Sequence, residues 1–204
     1  MMVLSLCRQL CPDKIPVTPG RRLGDGSDGE VFEVDDNKVI KFCVMYERGD
    51  RKLEPFYHKK VAPLIDRLIQ EPLDVYARVY AHEYMGIFER PFVGSKNGKQ
   101  KFILYYYTME KLERISDDES KVFHSILSHE DRGFDKNYST EKVREMLAGL
   151  QRGLDFDAER VIFFHTALKN VAISHLDIHP RNIMKDKDGN FKLIDFDRVE
   201  WNGE

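Results

Sequence analysis

Strand-like spacing dominates the first half of the chain. Short segments there either alternate between apolar and polar residues or run continuously apolar, which is typical of β-strands. A helical spacing interrupts them over residues 53–70, where Pro55 and Pro63 are expected to break or kink the helix. The segments predicted as strands are residues 15–23, 30–34, 38–44, 75–92 and 102–109.

Helical spacing dominates the second half. Apolar residues recur every three or four positions in three segments, and two short apolar strands follow them. The predicted helices are residues 117–129, 140–151 and 157–173, and the strands are 182–185 and 191–194. This order predicts a two-lobed α+β protein, with a strand-rich first lobe, a helical second lobe and a single crossing near residues 109–112. A ligand is expected between the lobes.

Charge and cysteine content narrow the classes of function. The chain has 32 Lys and Arg against 35 Asp and Glu, for a net charge of −3, which argues against an overall electrostatic grip on nucleic acid or an anionic membrane. Its three cysteines are too few and odd in number for a disulfide framework, which favours a reducing compartment. The N-terminal residues do not have the pattern of a signal peptide. No apolar run approaches the ~18 residues that a membrane span requires. We expect a cytoplasmic protein.

A glycine-rich segment is the first candidate site. Gly24, Gly26 and Gly29 are followed by Val31 in a G-x-G-x-x-G-x-V pattern. Glycines let a tight turn bring backbone N–H groups close to phosphate oxygens. A dinucleotide-binding fingerprint would open a helix, whereas the residues that follow here alternate as a strand. An ordinary hairpin is the alternative to a strand–loop–strand that covers a nucleoside triphosphate.

Lys41 follows twelve residues after the last of these glycines, in a strand that is otherwise apolar. Such a lysine either extends its ammonium group to water at a sheet edge or binds phosphate. The glycine-rich segment just upstream favours binding of the α- and β-phosphates.

Two acidic motifs follow the last predicted helix. Residues 175–182 read H-x-D-x-x-x-x-N, the spacing of a phosphotransfer catalytic loop. Phosphoryl transfer needs a carboxylate that orients the attacking hydroxyl and oxygen ligands for magnesium, which fits Asp177 and Asn182 respectively. Asp195 comes at the end of an apolar strand and fits a second magnesium ligand. Two acidic surface turns are the alternative, but four motifs in this order favour the site.

Together these motifs resemble the protein-kinase-like superfamily over residues 22–201. The resemblance implies one kinase-like domain over residues 1–204, with an antiparallel-sheet N-lobe over about 15–110 and a reduced helical C-lobe over 111–204. It implies ATP and Mg²⁺ as cofactors. The implied roles are nucleotide binding by Gly24, Gly26, Gly29, Val31 and Lys41, adenine binding by the main chain of Glu110 and Leu112, catalysis by Asp177 with Lys41 and His179, and metal binding by Asn182 and Asp195. Glu54 is the candidate partner of Lys41.

The sequence also departs from the protein-kinase pattern. His179 stands where protein kinases usually have lysine, so the D-x-H-P-x-N loop resembles that of aminoglycoside and choline kinases and of early bacteriophage kinases. His179 either hydrogen-bonds the γ-phosphate or only braces the loop. Asp197 replaces the last residue of the D-F-G motif, and seven residues follow it. The chain therefore either resembles the minimal kinases of phages and bacterial effectors or is a piece of a longer kinase. If it is a minimal kinase, we expect activity without activation-loop phosphorylation.

Three functions are compatible with these features. The first is a minimal Ser/Thr protein kinase, whose substrate would be a host protein in the host-cell cytoplasm if the source is a phage or an effector. The second is a small-molecule kinase of the aminoglycoside or choline type, and the third is a nucleotide-binding pseudokinase. Small size and the short sequence after Asp195 favour the first, and residues 117–154 are a candidate substrate surface.

Overall fold

The computed structural model describes residues 2–26, 28–47, 52–93, 98–128, 133–134, 139–171, 173–175, 178–196 and 199–201. The chain divides into two compact units. The first contains Met1–Glu71 and Arg78–Lys111, and the second contains Pro72–Ala77 and Leu112–Glu204.

The first unit is built on a five-stranded sheet in the order β1-β2-β3-β5-β4, in which all neighbouring strands are antiparallel. The strands are β1 (Arg22–Asp25), β2 (Gly29–Glu33), β3 (Lys38–Tyr46), β4 (Val79–Pro91) and β5 (Lys99–Glu110). This is the antiparallel sheet expected from the alternating and apolar segments of the first half. The prediction of a strand over residues 15–23 is corrected, because β1 begins only at Arg22, and Pro16 and Pro19 have no N–H for strand pairing.

The two faces of this sheet carry different residues. The register places Val31 opposite Lys41, and Lys41 opposite Tyr107, so these three side chains share one face. Residues one position away point to the other face, where Phe32, Ile40, Phe42, Leu104 and Tyr106 form a buried cluster. Helix α1 (Val3–Leu10), followed by a 3₁₀ turn (Pro12–Lys14), covers this cluster with its apolar side.

The helical segment between β3 and β4 has an irregular middle. Helix α2 (Leu53–Phe56) runs into a π-helical stretch (Tyr57–Val61) and then into α3 (Ala62–Gln70). Pro63 has no N–H to donate to the preceding turn, which accounts for the local irregularity expected from the prolines. Tyr57 is buried, and its hydroxyl lies 3.1 Å from Nδ1 of His82, whose Nε2 lies 2.9 Å from an Asp66 carboxylate oxygen. This chain of hydrogen bonds fixes the segment on β4.

The second unit combines helices with short strands. Its helices are α4 (Asp117–Ile126), α5 (Thr140–Leu150) and α6 (Ala158–Asn170), with a 3₁₀ turn at Pro180–Asn182. Its strands are β6 (Glu113–Arg114), β7 (Leu127–Ser128), β8 (Gly133–Phe134), β9 (Ile173–His175), β10 (Ile183–Lys185), β11 (Phe191–Leu193) and β12 (Val199–Trp201). They form a sheet in the order β11-β10-β6 and the pairs β12-β9 and β7-β8. Phe123, Phe164 and Phe191 pack ring against ring in its core.

The expectation of a single crossing near residues 109–112 is wrong. Residues 72–77 belong to the second unit, although residues 75–77 were expected to start a strand of the first lobe. Leu193 donates its N–H to Val75 at 2.8 Å and accepts the N–H of Ala77 at 2.9 Å, so the segment extends the edge of β11. The apolar residues Val75, Tyr76 and Ala77 are buried there, which explains their strand-like pattern.

The α+β prediction is confirmed, with an antiparallel sheet in the first unit and most of the long helices in the second. This organisation is consistent with the two-lobed kinase-like fold that the motifs imply. The lobe boundaries and the single domain over 1–204 stay predictions. Within the described residues, no helix combines the length and apolar character that crossing a membrane requires.

Candidate active site

The glycine-rich segment forms the turn between β1 and β2, as its sequence context predicts. The N–H of Gly26 donates to the carbonyl oxygen of Gly29 at 2.9 Å, which closes the turn. The carbonyl oxygen of Asp28 accepts the N–H of Val44 on β3 at 2.8 Å. The turn is therefore attached both to its own hairpin and to the strand that carries Lys41.

Only one of the three glycines is crowded by its neighbours. A Cβ at Gly29 would lie 2.7 Å from the Phe42 carbonyl oxygen and 3.1 Å from Cε of Lys41. A Cβ at Gly24 or Gly26 would meet no described atom within 4 Å. Gly29 thus permits β2 to approach β3 and lets the Lys41 side chain pass beside the turn. Gly24 and Gly26, in contrast, leave open space over the turn.

Lys41 lies among the other predicted nucleotide-binding residues of the first unit. It pairs with Val31 across β2 and β3, and its stem runs past Gly29. Its ammonium nitrogen is 5.7 Å from the ring centroid of Tyr107, which gives a favourable cation–π contact. The structure therefore brings Gly29, Val31 and Lys41 together on one face of the sheet.

Glu54, the candidate partner of Lys41, lies on α2 and interacts with Tyr84. The Tyr84 hydroxyl donates to Glu54 Oε1 at 3.0 Å. Burial, and then the hydrogen bond to Glu54, raise the pKa of Tyr84 well above its usual value. This contact holds the Glu54 carboxylate on the β4 side of α2. Its pairing with Lys41 stays a prediction.

Glu110 is the last residue of β5, in the predicted adenine-binding segment. Its main-chain N–H donates to the Arg78 carbonyl oxygen at 2.9 Å, and its side chain accepts the Arg78 N–H at 2.8 Å. A contact between adenine and the main chain of Glu110 would therefore use its carbonyl oxygen. The first unit ends this stretch at Lys111, and Leu112 belongs to the second unit. The contact of Leu112 with adenine stays a prediction.

In the second unit, the two predicted magnesium ligands lie at the same end of one hairpin. Asn182 directly precedes β10, and Asp195 is the second residue after the end of β11. Ile183 and Leu193 are opposite each other in the register, and the N–H of Ile194 donates to the Asn182 carbonyl oxygen at 2.9 Å. The pairing of β10 with β11 therefore brings Asn182 close to Asp195, although thirteen positions separate them in the sequence.

Asp195 has a left-handed backbone conformation, which is unusual for a residue with a side chain. Its φ angle is +73°, and it is the non-glycine residue with a positive φ among those that the structure describes. This region is uncommon for residues with a side chain and is often found at functional sites. The next residue, Phe196, is buried and packs on Tyr76 with ring centroids 6.1 Å apart. The sequence gives no direct signal of this conformation.

His179 caps the 3₁₀ turn that contains Asn182. Its Nδ1 accepts the N–H of Arg181 at 3.2 Å, and its carbonyl oxygen accepts the N–H of Asn182 at 2.8 Å. Because Nδ1 is an acceptor here, a neutral ring carries its proton on Nε2. The bracing role considered for His179 is thus present, and Nε2 can act as a hydrogen-bond donor.

Asp177, the predicted catalytic residue, lies outside the described residues, as does Asp197. The main chain of the preceding His175 is described and pairs with Val199 between β9 and β12. The prediction for Asp177 therefore depends on its spacing from Asn182.

The donor set in the second unit fits magnesium. Asn182 is buried and supplies an amide oxygen, and Asp195 supplies a carboxylate, which are the hard oxygen ligands that Mg²⁺ prefers. Among the described residues, no group of three or more His, Cys, Asp or Glu is placed to hold a metal. Phosphate oxygens and water would complete the coordination, as is usual for Mg²⁺ bound with a nucleotide.

Comparisons with known proteins give weak similarity. No family model matches the chain, and no curated protein matches it. A crystal structure of WbdD is 18% identical with a TM-score of 0.45, over 90% of this chain and 33% of that one. A co-crystal of WbdD with the kinase inhibitor LY294002 is 19% identical with a TM-score of 0.39, over 87% of this chain and 32% of that one.

A further structure, described as that of the bifunctional kinase-methyltransferase WbdD, is 18% identical with a TM-score of 0.35, over 86% of this chain and 30% of that one. This chain spans about a third of the length of each of these structures.

Proposed function

We propose that the chain is an ATP- and magnesium-dependent phosphotransferase. The observation that carries the proposal is the hydrogen bond from Ile194 to Asn182, because it places an amide and a carboxylate at one end of a hairpin. The left-handed backbone of Asp195 supports the same assignment, since such a conformation is retained where a side chain must be aimed.

The first unit would bind the nucleotide. The glycine turn offers backbone N–H groups to phosphate oxygens, and Lys41 offers an ammonium group that runs beside Gly29. When bound, Mg²⁺ neutralises charge on the phosphate oxygens, and Asn182 and Asp195 would hold it. Asp177 would orient the acceptor hydroxyl and accept its proton. Most of the rate enhancement would then come from positioning and charge neutralisation.

The acceptor we propose is a Ser or Thr hydroxyl of a protein. The second candidate acceptor is a small-molecule alcohol, which His179 favours because the D-x-H-P-x-N loop resembles that of aminoglycoside and choline kinases. Because Nδ1 of His179 accepts the Arg181 N–H, the proton of a neutral ring is on Nε2, which would be the donor to a γ-phosphate in either case.

Transfer from γ-labelled ATP tests the proposal. Wild type and Asp177→Ala would be incubated with Mg²⁺ in bacterial and eukaryotic lysates, since Asp177→Ala should abolish transfer and spare ATP binding. Label on protein bands with the wild type alone supports a protein kinase. ATP turnover that rises with a small-molecule fraction, without labelled protein, supports the second acceptor. ATP binding without turnover would contradict the proposal and indicate a pseudokinase.

Asp195→Asn tests the metal assignment with little change in shape, because asparagine tolerates a positive φ better than alanine does. We expect it to weaken binding of Mg-ATP and to leave magnesium-free nucleotide binding unchanged. Asp188→Asn is the matched control, since this exposed aspartate lies in the turn at the other end of the same hairpin. Equal Mg-ATP affinity in both variants would contradict the assignment.

A further inference from the structure

Helix α1 packs on one face of the strands next to the glycine turn of the first unit. Val3, Leu4 and Cys7 are buried against the sheet face that carries Phe32 and Phe42. This face is opposite to the one that carries Val31 and Lys41, because neighbouring residues of a strand point to opposite sides. The helix therefore contacts the back of the strands that hold the proposed phosphate-binding residues.

Glu30 joins this helix to the turn. It is only 3% exposed, although it carries a carboxylate, and it directly follows Gly29. Its Oε2 accepts the main-chain N–H of Leu4 at 2.9 Å. Leu4 is the second residue of α1, and N–H groups in the first turn of a helix have no partner within the helix. A carboxylate is favoured at this end of a helix by the helix dipole.

Arg22 extends the connection to the other strand of the hairpin. Its Nη2 lies 2.9 Å from Glu30 Oε1 on β2 and 3.1 Å from Asp25 Oδ2, where β1 enters the turn. One guanidinium group thus contacts a carboxylate on each side of the glycine turn. The Arg22 side chain is 41% exposed, so its ion pairs contribute little by themselves. Most of the stabilisation by this cluster is therefore expected from the buried Glu30.

We propose that Glu30 is a positioning residue for the phosphate-binding turn, and that α1 and Arg22 act on the turn through it. The inference rests on the proposed function, in which this turn holds the nucleotide phosphates. Fixing the Glu30 side chain on the α1 face restricts the backbone of its neighbours Gly29 and Val31. Their distance from Lys41 is then set by α1 as well as by the sheet.

Glu30→Gln is the first test, because glutamine has nearly the same shape but only one accepting oxygen. In either orientation of its amide, one of the two contacts with Leu4 and Arg22 is lost. Glu89→Gln is the matched control, since Glu89 pairs with Lys99 and Lys101 on the exposed β4–β5 hairpin. Hydrogen exchange of the Gly26 amide, which closes the turn, would be measured in the nucleotide-free protein, together with KM for ATP, kcat and KM for the acceptor.

We expect Glu30→Gln to speed exchange at Gly26 and to raise KM for ATP by about tenfold each, because a hydrogen bond to a charged group is lost. KM for the acceptor should not change, and Glu89→Gln should match the wild type. Arg22→Gln, at a more exposed site, should give a smaller change in the same direction. Its combination with Glu30→Gln should be no worse than Glu30→Gln alone, since both act through one cluster.

Two results separate the failure of this inference from that of the proposed function. A Glu30→Gln variant that melts at lower temperature, yet keeps wild-type exchange at Gly26 and wild-type KM for ATP, would reduce Glu30 to a structural residue and overturn the inference. A wild-type protein that binds no ATP would refute the proposed function. The exchange measurement needs no nucleotide, and it would still show whether Glu30 controls the turn.

Discussion

Gly29 lies so close to Phe42 on the neighbouring strand that a Cβ at position 29 would be 2.7 Å from the Phe42 carbonyl oxygen. The same Cβ would be 3.1 Å from Cε of Lys41. The last glycine of the G-x-G-x-x-G pattern is therefore required by strand packing as well as by any approach of phosphate.

Gly29→Ala should consequently affect both stability and nucleotide binding. The added methyl group must displace backbone, since a carbonyl oxygen cannot move aside as a flexible side chain can, and we expect a loss of about 1–3 kcal/mol in the free energy of unfolding. Gly26→Ala is the matched control, because a Cβ there meets no described atom within 4 Å. Urea denaturation of both variants checks the difference, and equal midpoints would contradict this packing.

The two roles considered for His179 can be separated by substitution. Asparagine can replace the accepting Nδ1 and so cap the Arg181 N–H, but it has no donor at the position of Nε2. His179→Asn should keep the wild-type melting temperature and lose transfer activity if the ring contacts the γ-phosphate. His179→Ala should lose both. Full activity of His179→Asn would show that the histidine only braces the loop.

Cys7 should be unreactive in the folded protein. Burial, and then the neighbouring Cys11 and Glu30, raise the pKa of its thiol to about 12. The thiolate fraction at pH 8 is then only about one in ten thousand. We expect iodoacetamide to leave Cys7 unmodified at pH 8 until urea unfolds the chain, as read by mass spectrometry of the peptides. Rapid modification of Cys7 in native buffer would show that α1 does not stay packed on the sheet.

The sequence predicted strands β2 to β5 because their positions alternate or run continuously apolar, whereas most of the strand predicted over residues 15–23 is not formed. The candidate site residues on those strands and on the β10–β11 hairpin come from residue types and spacing, and their roles stay predictions. Other differences are at element ends. Helix α6 ends at Asn170, because Val171 already has an extended backbone that leads into β9.

Other features depend on contacts between distant residues and had no signal in the sequence. Val75 to Ala77 look like a strand of the sheet, but their hydrogen bonds go to Leu193. Glu30 looks like one polar position of an alternating strand, and only the packing of α1 makes it buried. The left-handed backbone of Asp195 likewise depends on tertiary structure, because aspartate tolerates this conformation better than most residues but does not require it.

The buried Glu119 should contribute more to the stability of the second unit than exposed charged residues do. It is 6% exposed, and its carboxylate accepts the Ser116 N–H at 2.8 Å in a capping box and the Lys185 ammonium group at 3.0 Å. The second contact ties the start of α4 to β10, directly after Asn182.

Glu119→Ala leaves a backbone donor and a partly buried lysine without their acceptor, and we expect a loss of about 2–3 kcal/mol in the free energy of unfolding. Lys121→Ala is the control on the same helix, since its pair with Asp118 is exposed and should leave the melting temperature unchanged. Thermal denaturation followed by circular dichroism measures both. Equal melting temperatures for Glu119→Ala and Lys121→Ala would show that the contact with Lys185 does not hold α4 against β10. The position of Asn182 would then have to be fixed by the β10–β11 pairing alone.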